Sequence, residues 1–141
     1  MTARQWWLRL ACGVMLAGLA GCGGGQIYPV RGQIQYREDG APAKDLAGGT
    51  VEFQSDEAMK SARGGIDADG RFELSTERPG DGAVLGKHKV LIVPPEGDSP
   101  EARRKHLLDP KYSRYETSGL EATVEARTNE LTLTVDRPPK R

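Results

Sequence analysis

The chain has 141 residues, with 20 Lys+Arg, 20 Asp+Glu, 2 His and 2 Cys. That length suits one domain and is too short for two. A formal net charge of zero gives no basic face of the kind that nucleic-acid binding requires, so no nucleic-acid partner is expected.

The N-terminus reads as an address. Arg4 and Arg9 flank Trp6-Trp7-Leu8, and residues 10–20 then run without a charge. A basic start followed by a short apolar run is the pattern of a secretory signal. A bilayer span needs about 20 apolar residues, and this run is shorter. Gly21, Gly23 and Gly24 follow at once and oppose continuation as a buried helix. The run ends in Leu19-Ala20-Gly21-Cys22. This resembles the lipobox of bacterial lipoproteins: an aliphatic residue, a small residue, Gly or Ala, then Cys. The resemblance implies cleavage after Gly21, a diacylglyceryl thioether on Cys22, and an added acyl chain such as palmitate on the new N-terminus. Two or three chains anchor stably where one holds only marginally.

Residues 1–21 are therefore expected to be a cleaved signal peptide, and 22–26 a lipidated Cys with a short Gly-rich tether. Residues 27–137 are expected to form the domain, and 138–141 a tail. Cleavage removes Cys12 and both tryptophans, so the mature chain has no disulfide and no Trp. Without Arg4 and Arg9 it carries 18 basic against 20 acidic residues. The four tether residues after Cys22 reach about 14 Å at most, which keeps the domain close to the membrane. Gly rather than Asp after the lipidated Cys favours, by the same resemblance, delivery to the outer membrane.

Beyond the tether, period-two alternation predicts strands. Val30, Gly32, Ile34 and Tyr36 share one face, as do Val51 and Phe53, then Phe72 and Leu74. Leu120, Ala122, Val124 and Ala126 repeat the pattern, followed by Leu131, Leu133 and Val135. Each set predicts one face on a core and one in water. Val90-Leu91-Ile92-Val93 is continuously apolar, as in a central strand covered on both sides or one crossing into a loop that packs over it. Arg63-Gly64-Gly65-Ile66 reads as a weaker strand. Turns are expected at Glu38-Asp39-Gly40, at Asp67-Ala68-Asp69-Gly70 as a hairpin, and at Arg127-Thr128-Asn129-Glu130. The last would close a hairpin with Asn129 left-handed. Pro94-Pro95 should stop the long strand. About seven short strands with regular turns predict an all-β fold, an immunoglobulin-like β-sandwich.

Residues 94–119 break the alternation. Ser99 is placed to cap a short helix with Pro100 at its first position and Glu101 at the positive end. Pro110 is expected to end that helix. Long ordered loops on rigid scaffolds often carry function.

Four motifs follow in order: Tyr28-Pro29-Val30-Arg31-Gly32-Gln33-Ile34, Gly48-Gly49-Thr50-Val51-Glu52-Phe53, Asp67-Ala68-Asp69-Gly70-Arg71-Phe72-Glu73-Leu74, and Gly86-Lys87-His88-Lys89-Val90-Leu91-Ile92-Val93. Together they resemble carboxypeptidase-regulatory-like domains with a transthyretin-like β-sandwich. More narrowly, they are similar to small bacterial lipoproteins of that type, which carry segments like Asp109-Pro110-Lys111-Tyr112 and Thr117-Ser118-Gly119-Leu120. His88 stands where that family more often has Tyr, and Leu107-Leu108-Asp109-Pro110 replaces a more usual Ile-Pro. The resemblance implies an accessory or structural module.

No catalytic constellation is legible. There is no Gly-x-Ser-x-Gly elbow and no free thiol to serve as a nucleophile. The C-terminus departs from the Tyr-Arg-Gly-Ser-like ending of transthyretin-fold hydrolases. His106-x-x-Asp109 is the nearest approach to a ligand pair and lacks the third ligand zinc requires. Asp67, Asp69 and Gly70 lack the spacing of a calcium loop and suit a turn. His88 alternates with Val90 and Ile92 and is expected to point inward at the core rim. No enzyme activity, metal or cofactor is expected. Arg103-Arg104-Lys105 is a basic run suited to a solvated helix face or an anionic partner. Tyr112 and Tyr115 either pack on the sandwich or offer rings to a ligand.

The expectation is a lipid-anchored envelope protein, held to the membrane through Cys22, whose sandwich serves an envelope protein partner. The alternative is a surface module binding a glycan or small solute through Arg104, Tyr112 and Tyr115.

Overall fold

A computed structural model of the protein describes residues 25–101 and 106–139. The expected signal peptide, Cys22 and the basic run Arg103-Arg104-Lys105 lie outside the described residues. Within them the fold is all-β, with several sheets and little helix. Nine strands form: β1 (Ile27–Tyr28), β2 (Val30–Tyr36), β3 (Thr50–Ser55), β4 (Lys60–Gly65), β5 (Arg71–Glu73), β6 (Ala83–Val84), β7 (Gly86–Val93), β8 (Leu120–Val124) and β9 (Asn129–Val135). Three strands pair in the order β5-β2-β9, four in the order β4-β3-β7-β8, and β1 pairs with β6. All pairings are antiparallel except β2 with β9, which run parallel over seven residues each.

The alternation seen in the sequence becomes burial. Val30, Ile34 and Tyr36 point inward from β2, Val51 and Phe53 from β3, and Val90 and Ile92 from β7. They share one core with Phe72, Leu74, Leu133 and Val135. Phe53 of the four-stranded sheet meets Phe72 of the three-stranded sheet at 6.2 Å between ring centroids, tilted by 50°. Burying such a ring contributes about 1.5–3 kcal/mol, so these contacts hold the two sheets face to face.

Two expected hairpins prove to be crossings between sheets. Asp67 does organise a turn, accepting from the N–H groups of Asp69 and Arg71 at 2.8 and 2.9 Å, with Gly70 at a φ of 72°. Yet β4 pairs with β3 while β5 pairs with β2, and the two meet only through isolated bridges at Arg63–Ser75 and Ile66–Phe72. Their backbones approach so closely that a Cβ on Gly64 would stand 2.3 Å from the Glu73 carbonyl oxygen. That close approach is the physical reason for Gly64, whereas a Cβ on Gly65 would meet nothing within 4 Å.

The turn before β9 likewise joins strands of different sheets, and Ala126 is exposed beyond the end of β8. Asn129 is not left-handed; it is the buried first residue of β9. Its side chain closes the turn instead. Oδ1 accepts from Glu125 N–H at 2.9 Å, and Nδ2 donates to the carbonyls of Arg127 and Glu125 at 2.7 and 3.1 Å. An Asx side chain satisfies backbone groups as readily as it tolerates positive φ.

Strand polarity gives the fold two distinct ends. One carries the described N-terminus, the 56–59 turn, the 75–82 loop, the start of β7 and the 125–128 turn. The other carries the 37–41 turn, the start of β3, the end of β7 and the C-terminus of β9. At the first end a hollow of about 490 Å³ opens beside Asp56, Glu57, Gly86 and Lys87, and the neighbouring 75–82 loop is closed by hydrogen bonds. Asp81 accepts from the N–H groups of Thr76, Glu77 and Arg78 at 2.7, 3.0 and 2.9 Å. Burial opposes its charge, but those donors outweigh burial and hold its carboxyl below the usual range. Gly82 closes this loop at a φ of 101°.

A Cβ on Gly82 would lie 1.8 Å from the Tyr28 carbonyl oxygen, whereas one on Gly40, at a φ of 67°, meets nothing within 4 Å. Gly82→Ala is therefore expected to cost about 3 kcal/mol or more, and Gly40→Ala only about 1 kcal/mol, the left-handed penalty alone. Urea unfolding of the two variants measures the difference, and equal losses would show that the contact at Gly82 relaxes freely.

Candidate functional site

Among the described residues, 94–101 and 106–119 are the main departure from the β scaffold, and they sit at the end opposite the described N-terminus. Their position follows from a mismatch in strand length. β7 runs from Gly86 to Val93, but β8 pairs with it only from Gly86 to Val90. The β7 carbonyls beyond that point need other donors. Ser118 donates its hydroxyl to the Val90 carbonyl, and Ser113 donates to the Ile92 carbonyl at 3.2 Å. Two serines thus continue the ladder where the neighbouring strand stops.

Local sequence shapes the segment around these bonds. Pro94 ends β7 as expected. Pro100 and Glu101 are helical. Pro110 does not end a helix; it stands at the start of a 3₁₀ turn, Pro110–Ser113. Asp109 caps that turn, its Oδ1 accepting from Lys111 N–H at 3.0 Å. A proline fits a first helical position because its missing N–H would be unpaired there. A single-turn helix, α1 (Tyr115–Ser118), follows and ends at Gly119, whose φ is 64°.

Tyr112 is buried in the core, with 2% of its surface exposed. Its hydroxyl donates to Asp136 Oδ2 at 2.7 Å and accepts from the Asp136 N–H at 3.0 Å. It presents no ring face to a ligand and works as a wedge between the 3₁₀ turn and β9. Asp136 is the hub of this end. Its Oδ2 also accepts from Lys111 Nζ at 2.7 Å, and its Oδ1 accepts from Arg37 Nε at 2.8 Å. The bonds from Lys111, Tyr112 and Arg37 hold its carboxyl well below the usual carboxylate range. Next to it Arg137 stacks on Tyr36, 3.8 Å from the ring centroid, and pairs with Asp39 at 2.7 Å.

Tyr115 takes a different place. It is half-buried, with its hydroxyl enclosed and without a hydrogen-bond partner. Glu52, Arg63 and Leu91 form one cross-strand row on the outer face of the four-stranded sheet. Burial and then the Glu52 carboxylate push the Tyr115 phenol well above its ordinary value, with Arg63 opposing. The ring therefore lies over that row. α1 packs on β7 at the same place, which accounts for the burial of Leu91 on a face turned away from the core. Tyr112 and Tyr115 do not converge on one surface, and Arg104 lies outside the described residues.

A cleft of about 660 Å³ opens between the end of β7 and the segment, lined by Val93, Pro95, Gly97, His106, Leu107 and Pro110 among others. Val93 is 46% exposed at its edge. The cleft is more apolar than a second hollow of about 440 Å³ on the three-stranded sheet, where Arg31, Arg71, Glu73 and Glu130 gather.

His88 points inward as expected and is 3% exposed. Its ring lies 5.8 Å from that of Phe53, and Nδ1–H donates to the Gly86 carbonyl at 3.0 Å. Nε2 is buried with no partner. Burial pushes the imidazole pKa down, with the Gly86 bond partly offsetting it. His106 is exposed, and Asp109 is committed to its cap. Among the described residues no three His, Cys, Asp or Glu are grouped to hold a metal, and no helix is long and apolar enough to cross a membrane. The serines 113 and 118 and the Asp136 hub escaped sequence reasoning, because each resembles an ordinary solvated residue until β7 is seen to outrun β8. No family model, curated protein or solved structure matches this chain.

Two predictions follow from these contacts. Tyr112→Phe removes both bonds to Asp136 and should cost about 1–3 kcal/mol, with faster amide exchange across residues 110–118 than in β3. Exchange rates equal to the parent would remove the wedge role. His88 is held neutral, so its contribution is complete above the unfolded value of about 6.5 and falls as pH drops through it. The urea midpoint should decline from pH 7 to 5, and His88→Leu should flatten that decline. Asp136 and Asp81 titrate in a separate window: their stabilisation is present above the ordinary carboxyl range and is lost only below about pH 4. An unchanged slope in His88→Leu would assign the decline elsewhere.

Proposed function

We propose that this is a lipid-anchored protein of the bacterial cell envelope, without catalytic activity, whose transthyretin-like β-sandwich presents an interaction surface to an envelope protein. The observation that carries this reading is the opposition of the two ends. The described chain begins at Gly25, and Gln26 and Ile27 lead into β1 beside β6, with Leu85 N–H donating to the Gln26 carbonyl at 2.8 Å. The lipobox-like Cys22 stands three positions before Gly25. The 94–119 segment lies at the other end of β7. Eight strand residues span about 25 Å, so a lipid on Cys22 would hold the segment up and away from the bilayer.

Seven strands packed as three against four around one core support the sandwich reading, as does the order of motifs along the chain. The outer strands β4, β8, β5 and β9 end the two sheets. Among them β9 offers seven residues with β2 on one side only. An edge of that kind accepts a partner strand. A second reading, a module for a glycan or small solute, draws on the apolar cleft at Val93 and His106 rather than on a convergence of tyrosines.

Replacing Cys22 with Ala should abolish the acyl mass and release the protein from membranes. A variant that stays bound with unchanged processing would end the lipoprotein reading. Cross-linking in intact cells then separates the two functions. One dominant protein adduct through the 106–119 region or β9 is expected. A fully exposed domain without a protein adduct would favour the solute.

A further inference from the structure

We propose that the end of the fold where the chain begins is a membrane-resting face, with Met59 and Leu85 seated among the lipid headgroups. This rests on lipidation of Cys22 and goes further, because a tethered domain could equally stand clear of the bilayer or lie on its side. Three observations choose the end-on orientation.

The first is reach. The three residue steps from Cys22 to Gly25 span at most about 11 Å. Gly25 is itself held against the fold, where a Cβ on it would meet the Val84 side chain at 3.6 Å. The end bearing β1 and β6 is therefore drawn to the lipid surface.

The second is apolar exposure. Three large hydrophobic residues are exposed among those described: Met59 at 83%, Leu85 at 46% and Val93 at 46%. Val93 borders the cleft at the far end. The other two lie at the near end. Gln54 pairs with Lys89 and Ser55 with Lys60, so the 56–59 turn reaches the level of Gly86. A Cβ on Gly86 would stand 3.9 Å from Glu57 Oε2, which places that turn beside Leu85. Met59 also holds a φ of 52° at the tip. Isolated exposed hydrophobics need no explanation in water. Beside a tether this short they meet headgroups rather than water.

The third is charge. Lys60 pairs with Glu77 at 2.6 Å, Lys89 with Asp56 at 2.6 Å, and Arg127 with Glu125. Cations and anions balance at this end, so no acidic cluster repels an anionic leaflet. Contact comes from the tether and apolar seating, not from a basic patch.

The mature chain contains no Trp, so single tryptophans report depth. Full-length protein carrying Met59→Trp, Leu85→Trp or Val93→Trp would be purified from bacterial membranes and its acyl mass checked. Each would then be reconstituted into vesicles of phosphatidylethanolamine and phosphatidylglycerol containing brominated lipid. Emission at 59 and 85 should be quenched about twofold or more relative to 93, consistent with seating within the outer 5–10 Å of the interface. Acylated protein with equal quenching at all three positions, or strongest at 93, overturns the orientation and leaves the lipoprotein reading intact. An uncleaved chain with a free Cys22 thiol overturns both. Should a tryptophan disturb folding, amide exchange of the unsubstituted protein gives the same decision. Vesicle-bound protein should show slowed exchange at 57–60 and 85–87 relative to Cys22→Ala, and none at 96–97; the absence of slowing at the first two overturns the orientation.

Discussion

The far end of this fold depends on three residues of β7 that β8 does not reach. β8 stops pairing at Val90, while β7 continues to Val93 against β3 alone. A buried carbonyl without a donor costs about 1–3 kcal/mol. The 94–119 segment removes that cost at two points with serine hydroxyls rather than with a tenth strand. Once the serines are fixed to β7, the 3₁₀ turn must lie near the end of the core, and Tyr112 fills the space there. Tyr112 in turn brings its hydroxyl to Asp136, which gathers Lys111 and Arg37. The segment is thus held by backbone accounting first, apolar packing second and charge last.

The two ends solve the same problem of closing a two-sheet fold by different means. At the near end, closure is by close backbone approach, Gly82 against Tyr28, and by short side chains, Asp81 and Asn129, that bond the backbone of their own turns. These contacts leave little room for change. At the far end, closure is by side chains. The apolar cleft beside Val93 opens there, as a hollow beside Glu57 and Gly86 opens at the near end. A surface that varies to suit a partner is easier to build on the second kind of end than on the first.

Much of the architecture was legible in the sequence. Every inward residue of β2, β3 and β9 follows from period two, and the apolar run in β7 marked the strand that is covered on both faces. What alternation does not encode is the partner of each strand. It reads one strand at a time, so turns that change sheets read as hairpins at 67–70 and 127–130. Residue preference also misled where one side chain has two uses. Asn129 tolerates positive φ and also satisfies backbone groups, and the second use prevailed because three unpaired groups lay within reach. Pro110 ends one helix or begins another, and Asp109 before it, a good cap, was the overlooked sign. Tyr112 and Tyr115 are three residues apart and look alike in sequence. Only the third dimension separates a phenol bonded to Asp136 in the core from one laid across Glu52 and Arg63.

Physical polarity connects these details to function. The near end is charge-balanced and carries the described N-terminus, which suits the resting face proposed above. The far end carries the irregular segment, the cleft, and the Asp136 cluster with its exposed lysine and arginine neighbours. Between them the sheets act as a spacer about 25 Å tall. A domain built this way needs no chemistry of its own to be useful in an envelope. Under the proposed lipid anchoring it would fix a chemically distinctive surface at a set height above a lipid plane, and for a freely diffusing partner, confinement to that plane would raise the local concentration of the surface. Its specificity would then reside in the segment that the β scaffold did not dictate.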